Sequence, residues 1–93
     1  MLERKGSCLK VSAPMLFSGA SALLASGRSE LSADITEIDL SGIGDADSSA
    51  LAVLFAWLRD AKAMNSSLRI THSPAGLVSL AALYGVSDFL PLA

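Results

Sequence analysis

Cysteine and histidine each occur once in this 93-residue chain, as Cys8 and His72. A lone thiol cannot form an internal disulfide, so nothing here signals an oxidising compartment. A metal site needs several ligands, and the chain offers no CxxC or HxxxH spacing, so no metal or other cofactor is expected. His72 reads as a polar residue that follows a strand, and Cys8 as a small core residue of an early strand. Charge is sparse too: 17% of residues, a net −2, and no cluster of four or more Lys and Arg. Such a chain lacks the footprint of a phosphate-backbone binder or of a protein lying on an anionic bilayer. No apolar run reaches membrane-spanning length, and the charged residues 1–10 lead into no apolar stretch of a secretory signal. The expectation is a soluble, cytoplasmic chain that binds no nucleic acid and makes no direct membrane insertion.

Catalytic signatures are also missing. No GxSxG elbow presents a nucleophile, and no GK[ST] run marks a P-loop. Gly42-Ile43-Gly44 lies where a dinucleotide fingerprint would sit, but Asp47 takes the third glycine position. A carboxylate at that helix start would repel a pyrophosphate.

What is present is apolar material, 52% of the chain. That composition excludes intrinsic disorder, and the length fits one domain with one core. Residues 8–15 (CLKVSAPM) alternate partially and read as a strand ending near Pro14. A short strand in residues 1–5 precedes it across a Gly6-Ser7 turn. Residues 17–31 (FSGASALLASGRSEL) read as a helix that Ser18 could cap, weakened by Gly19 and Gly27 at about 1 kcal/mol each. Residues 35–40 (ITEIDL) read as a strand and residues 41–46 (SGIGDA) as an irregular loop. Residues 48–64 are the clearest helix, with Asp47 as N-cap and Asn65-Ser66 as its end. Residues 68–71 (LRIT) give a third main strand. Pro74 opens a last helix at its N1 position, ending near Tyr84 with Gly85 as C-cap. Phe89, Leu90 and Leu92 form an apolar tail. The alternating order predicts an α/β fold, a small mixed sheet covered by helices.

The helix from Ser48 is apolar on both sides. At about 100° per residue, Leu51, Leu54, Phe55 and Leu58 face one way, and Val53, Ala56, Trp57 and Met64 largely the other, with Asp60 the main charge among them. A chain this short can hardly bury a helix on all sides. The expectation is therefore an exposed apolar patch near Trp57, with Trp57 as a cover at the core's edge the competing reading. Ser48 and Ser49, in the first turn, either cap free amides or face a partner.

Asp39-Leu40-Ser41 and Asp47-Ser48-Ser49, set between a strand and a helix, resemble the signature of STAS domains, roughly DLS, a short spacer, then DSSGL. That family includes the anti-sigma-factor antagonists and the cytoplasmic ends of some anion transporters. The resemblance implies a single STAS domain, a small sheet flanked by helices, acting by protein binding rather than as an enzyme. Ala50 departs from the family's glycine at that place; alanine suits a first helical turn, so the fold is unaffected. Residues 80–90 (LAALYGVSDFL) and Leu51-Ala52 are similar to the MlaB group within the family. These are the STAS subunits of the Mla phospholipid ABC transporters of Gram-negative envelopes, which maintain outer-membrane lipid asymmetry. That resemblance implies a cytoplasmic accessory subunit, peripheral to the inner membrane, that binds an MlaF-like ATPase within a complex with the permease. Asp47, Ser48, Ser49, Ala52, Ala56 and Trp57 are the expected partner-binding residues. Pairing of the isolated chain into a homodimer through the apolar patch is a further expectation. Ser48 matches the residue phosphorylated in anti-sigma-factor antagonists, so it is a candidate phosphosite under the alternative reading.

Overall fold

The computed structural model of the chain describes residues 1–92. Its strands are β1 (Leu2–Lys5), β2 (Cys8–Val11), β3 (Glu37–Asp39) and β4 (Arg69–Thr71), and its helices α1 (Ala20–Glu30), α2 (Ser48–Ala63) and α3 (Ala75–Leu83). Short 3-10 turns cover Phe17–Gly19 and Ser87–Phe89. The sheet order is β1-β2-β3-β4. β1 and β2 are antiparallel, with Lys5 opposite Cys8 across the two-residue Gly6-Ser7 loop. The β2–β3 and β3–β4 pairs are parallel, each needing a crossover, which α1 and α2 supply. The expected small mixed sheet with helices is therefore the observed fold.

One face of the sheet carries the core. Leu9, Val11, Ile38, Leu40 and Ile70 are buried beneath the helices. Alternate positions point the other way. There Lys10 and Arg69 are exposed, and Cys8, Glu37, Asp39 and Thr71 are half-buried. Cys8 is thus no core residue: the core position is its neighbour Leu9. Burial, then the carboxylates of Glu37 and Asp39, push the Cys8 thiol above its ordinary range, which keeps it a poor nucleophile.

Element ends differ from the sequence reading where prolines and caps act. β2 stops at Val11, and Met15 instead makes an isolated bridge to Ala46 beyond the Pro14 bend. Ser18 does not cap α1; it lies inside the 3-10 turn, and α1 starts after Gly19 with no side-chain cap. Pro74 is the N-cap of α3 rather than its first residue, because its ψ of 149° is extended. α2 and α3 end alike. Asn65 and Gly85 take positive φ, 58° and 70°. Ser66 N–H donates to the Ala61 carbonyl and Val86 N–H to that of Ala81, both at 2.9 Å. These bonds satisfy carbonyls that a helix end leaves without intrahelical partners. After α3 the chain returns along β4: Ile70 N–H donates to the Pro91 carbonyl at 2.9 Å, and Leu92 bridges Ile70.

The largest correction concerns α2. Trp57 is 1% exposed and Ala56 5%, with Val53 at 4%, so the expected patch around Trp57 is not on the surface. The reason is α1. Gly27 of α1 lies against the indole, where a Cβ would overlap Cε2, Nε1 and Cζ2 of Trp57. The indole N–H donates to the Leu24 carbonyl of α1 at 3.3 Å. Asp60, on the side expected to be free, pairs with Arg28 of α1 at 2.7 Å. So α2 is covered by the sheet on one side and α1 on the other. The helix with an uncovered apolar side is α3, where Val78, Leu83 and neighbouring Tyr84 are 41%, 78% and 57% exposed.

Candidate functional site

The start of α2 is built by one carboxylate. Asp47 is extended (φ −122°), and its Oδ1 accepts the Ser49 N–H at 2.8 Å, as an N-cap should. Its Oδ2 accepts the Phe17 N–H at 3.0 Å. The backbone doubles this tie: Met15 N–H donates to the Asp45 carbonyl at 2.9 Å, and Asp47 N–H to the Met15 carbonyl at 3.1 Å. The segment leading into α1 is thereby stitched to the loop leading into α2.

A surface groove of about 230 Å³ lies between them, lined by Phe17, Ala20, Ser21, Leu24, Ser49, Ala52 and Val53. Phe17 is 81% exposed at its rim. Ser48 and Ala52 are exposed, and Ser49 and Asp47 half-buried. Of the expected partner-binding residues, Ser49 and Ala52 line this groove, and Asp47 and the exposed Ser48 precede them at the start of α2. Ala56 and Trp57 instead lie inside the α1–α2 contact. Phe17 was not singled out from the sequence, where it read as an apolar contact of a helix. What sets it apart is the long-range bond of its amide to Asp47, since α1 begins only at Ala20.

A second carboxylate organises the loop at the C-terminal end of β3. Asp39 Oδ1 accepts the Ser41 N–H at 2.8 Å and lies 3.1 Å from Nδ1 of the exposed His72. Among the described residues no three His, Cys, Asp or Glu side chains group closely enough to hold a metal ion.

Amide donation holds both carboxyls below the usual aspartate value of 3.8, from Phe17 then Ser49 for Asp47, and from Ser41 for Asp39. The unfolded chain binds these protons more readily than the folded one. Their stabilisation is therefore complete above that ordinary value and is lost as pH falls through the lowered ones. Urea unfolding of wild type and Asp47→Asn, from about pH 6 to about pH 2, checks this. The expected curves differ at neutral pH and converge in acid. A gap that stays constant across the range would show that the Asp47 charge contributes nothing.

Both sequence and fold are similar to those of known proteins. A family model described as Mlab, STAS domain, matches residues 1–92. A Haemophilus influenzae protein, intermembrane phospholipid transport system binding protein MlaB, is 36% identical over 62 residues, 67% of this chain and 59% of that protein. The match thus spans about three fifths of that relative's length. Among solved structures, a Thermotoga maritima protein assigned as an anti-sigma factor antagonist superposes with a TM-score of 0.78 at 10% identity, over 99% of this chain and 83% of that one. An anti-sigma-factor antagonist (STAS) domain protein of Planctomyces limnophilus gives 0.71 at 14% identity, over 99% and 86%. These two share the fold. With a family match over nearly every residue and the DLS and DSS segments placed on either side of the loop between β3 and α2, the chain belongs to the MlaB-type STAS-domain family.

Proposed function

We propose that this chain is a non-catalytic accessory subunit of a phospholipid ABC transporter, and that the start of α2 is the surface that binds the transporter's ATPase. The observation that carries the reading is the Asp47 tie, which fixes an exposed Phe17 across a groove from Ser49 and exposed Ala52, at the helix start where Ser48 is exposed. Small residues let a partner backbone approach closely, and an exposed aromatic gives it an anchor. Similarity to a Haemophilus influenzae phospholipid-transport protein supports the transport part of the reading. In this reading the chain sits on the cytoplasmic side of the inner membrane, held there by its partners. No helix among the described residues is long and apolar enough to cross a membrane.

The test is affinity capture from detergent-solubilised membranes. Wild type is expected to retain an ABC ATPase with its permease, and Ser48→Glu to lose both. Glutamate at the first helical residue favours the helix dipole, so folding is preserved while a charge enters the contact. Retention of the ATPase by Ser48→Glu would remove Ser48 from the interface. A second reading, a phosphorylation-controlled anti-sigma-factor antagonist, draws on the exposure of Ser48 at a helix N-terminus. There a phosphate would meet the favourable dipole but also the carboxylates of Asp45 and Asp47. Mass spectrometry of Ser48 after incubation with sigma-regulating kinases separates the two, since an unmodified serine counts against the switch.

A further inference from the structure

The far end of α2 carries a second surface of different chemistry. Phe55, Leu58, Arg59, Lys62 and Phe89 line an open groove of about 470 Å³. A second hollow of about 500 Å³ continues it past Leu58, Lys62 and Phe89 to Leu68, Asp88 and Pro91. Phe55 and Leu58 are half-buried, while Phe89 is 72% exposed. Arg59 and Lys62 are exposed and three residues apart, so they stand on one side of the helix. Among the described residues Arg28 pairs with Asp60 and His72 contacts Asp39, and neither Arg59 nor Lys62 contacts a carboxylate in this way. Against Asp88 on the rim, these two cations leave a local positive excess on a chain of net charge −2. Ser48 lies fourteen residues before Lys62, about 20 Å away along the helix axis.

We propose that this groove is a second docking site, and that it takes an acidic peptide segment of a partner chain bearing an apolar anchor. Charge decides among the occupants. Two cations would release too few counterions for useful nucleic-acid affinity. They also fall short of the basic cluster that holds a protein to an anionic bilayer. An apolar floor with cations on its rim instead matches a short acidic segment that lays apolar side chains along the floor. The site lies outside the reach of the Ser48 surface, so one partner could engage both only by extending a separate segment. This inference rests on the reading of the chain as a transporter subunit.

The test replaces Phe89 with the photoreactive p-benzoylphenylalanine in the chain assembled with its ATPase and permease. After irradiation the adduct is mapped by mass spectrometry. The expected adduct falls on an Asp- or Glu-rich segment of a partner chain. Arg59→Glu with Lys62→Glu is expected to remove that adduct and weaken assembly at least about fivefold. Lysine substitutions in the mapped acidic segment should restore binding to the doubly reversed variant. An adduct on lipid, on a second copy of this chain or on nothing, with assembly unchanged in the charge-reversed variant, overturns the proposal. If wild type assembles and Ser48→Glu does not, a silent groove overturns this inference alone. Failure of wild type to capture any ATPase overturns the functional reading and this one with it.

Discussion

Replacing Gly27 with valine is expected to remove a large share of the fold's stability. A side chain there meets the Trp57 indole, not the yielding end of a flexible chain. The indole cannot swing away, because it is 1% exposed and its N–H is bonded to the Leu24 carbonyl. Helix propensity argues the opposite way: alanine in place of glycine inside a helix gains about 1 kcal/mol. Overpacking a close-packed contact costs about 1–3 kcal/mol, more when the added group is branched. The steric effect should win at both sizes, by a small margin for alanine and by about 3 kcal/mol for valine. Against a total of roughly 5–14 kcal/mol for a chain of this length, the valine loss is large. Urea titration followed by circular dichroism measures it. Trp57→Phe should recover part of the Gly27→Ala loss, since a smaller ring vacates the overlap. If Gly27→Ala is instead more stable than wild type, propensity dominates and the α1–α2 contact is looser than described.

Arginine at Ala52 should weaken the proposed partner binding and leave folding intact, whereas arginine at Ala56 should destabilise the fold itself. The two alanines are one helical turn apart. Ala52 is exposed in the groove beside Phe17; Ala56 is 5% exposed inside the α1 contact. Arginine has nearly the helix propensity of alanine, so the helix tolerates the first change. Placed between two surfaces, its bulk and charge should weaken ATPase binding about 30-fold or more, the scale of an interface hot spot. At Ala56 the same group has no room and no counter-charge, which destabilises the core directly. Binding by surface plasmon resonance, paired with melting temperature, separates the two effects. Equal binding by wild type and Ala52→Arg would place the ATPase contact elsewhere.

Local chemistry made much of the fold legible. Asp47 before an apolar helical run specifies a cap, and Oδ1 of that residue does hold the Ser49 amide. Asn65 and Gly85 end the two helices they follow, because each can adopt positive φ. The alternation of strands and helices carried the sheet class, since parallel neighbours require crossovers. Which side of α2 is covered was not legible. Large apolar residues lie on both of its sides, so periodicity leaves open which of the two is covered, and the answer depends on how near α1 can come. That distance is set by Gly27, which from sequence alone appeared only as a cost to helix formation. The candidate site divides on the same line. Asp47, Ser48, Ser49 and Ala52 are named as candidates by motif and helix position, while Phe17 needs the long-range bond from its amide to Asp47. Thirty residues separate the two, and no local pattern announces the contact.

The return of the chain along β4 bears on whether its sheet can recruit foreign strands. An open sheet can recruit foreign strands at either margin, the first step toward aggregation. At the β4 margin, the amide of Ile70 is already taken by Pro91, and Leu92 lies alongside. The other margin is β1, where Glu3, Arg4 and Lys5 put charge on three of four residues. Self-templating by this sheet would have to displace its own tail on one flank or desolvate a charged ribbon on the other.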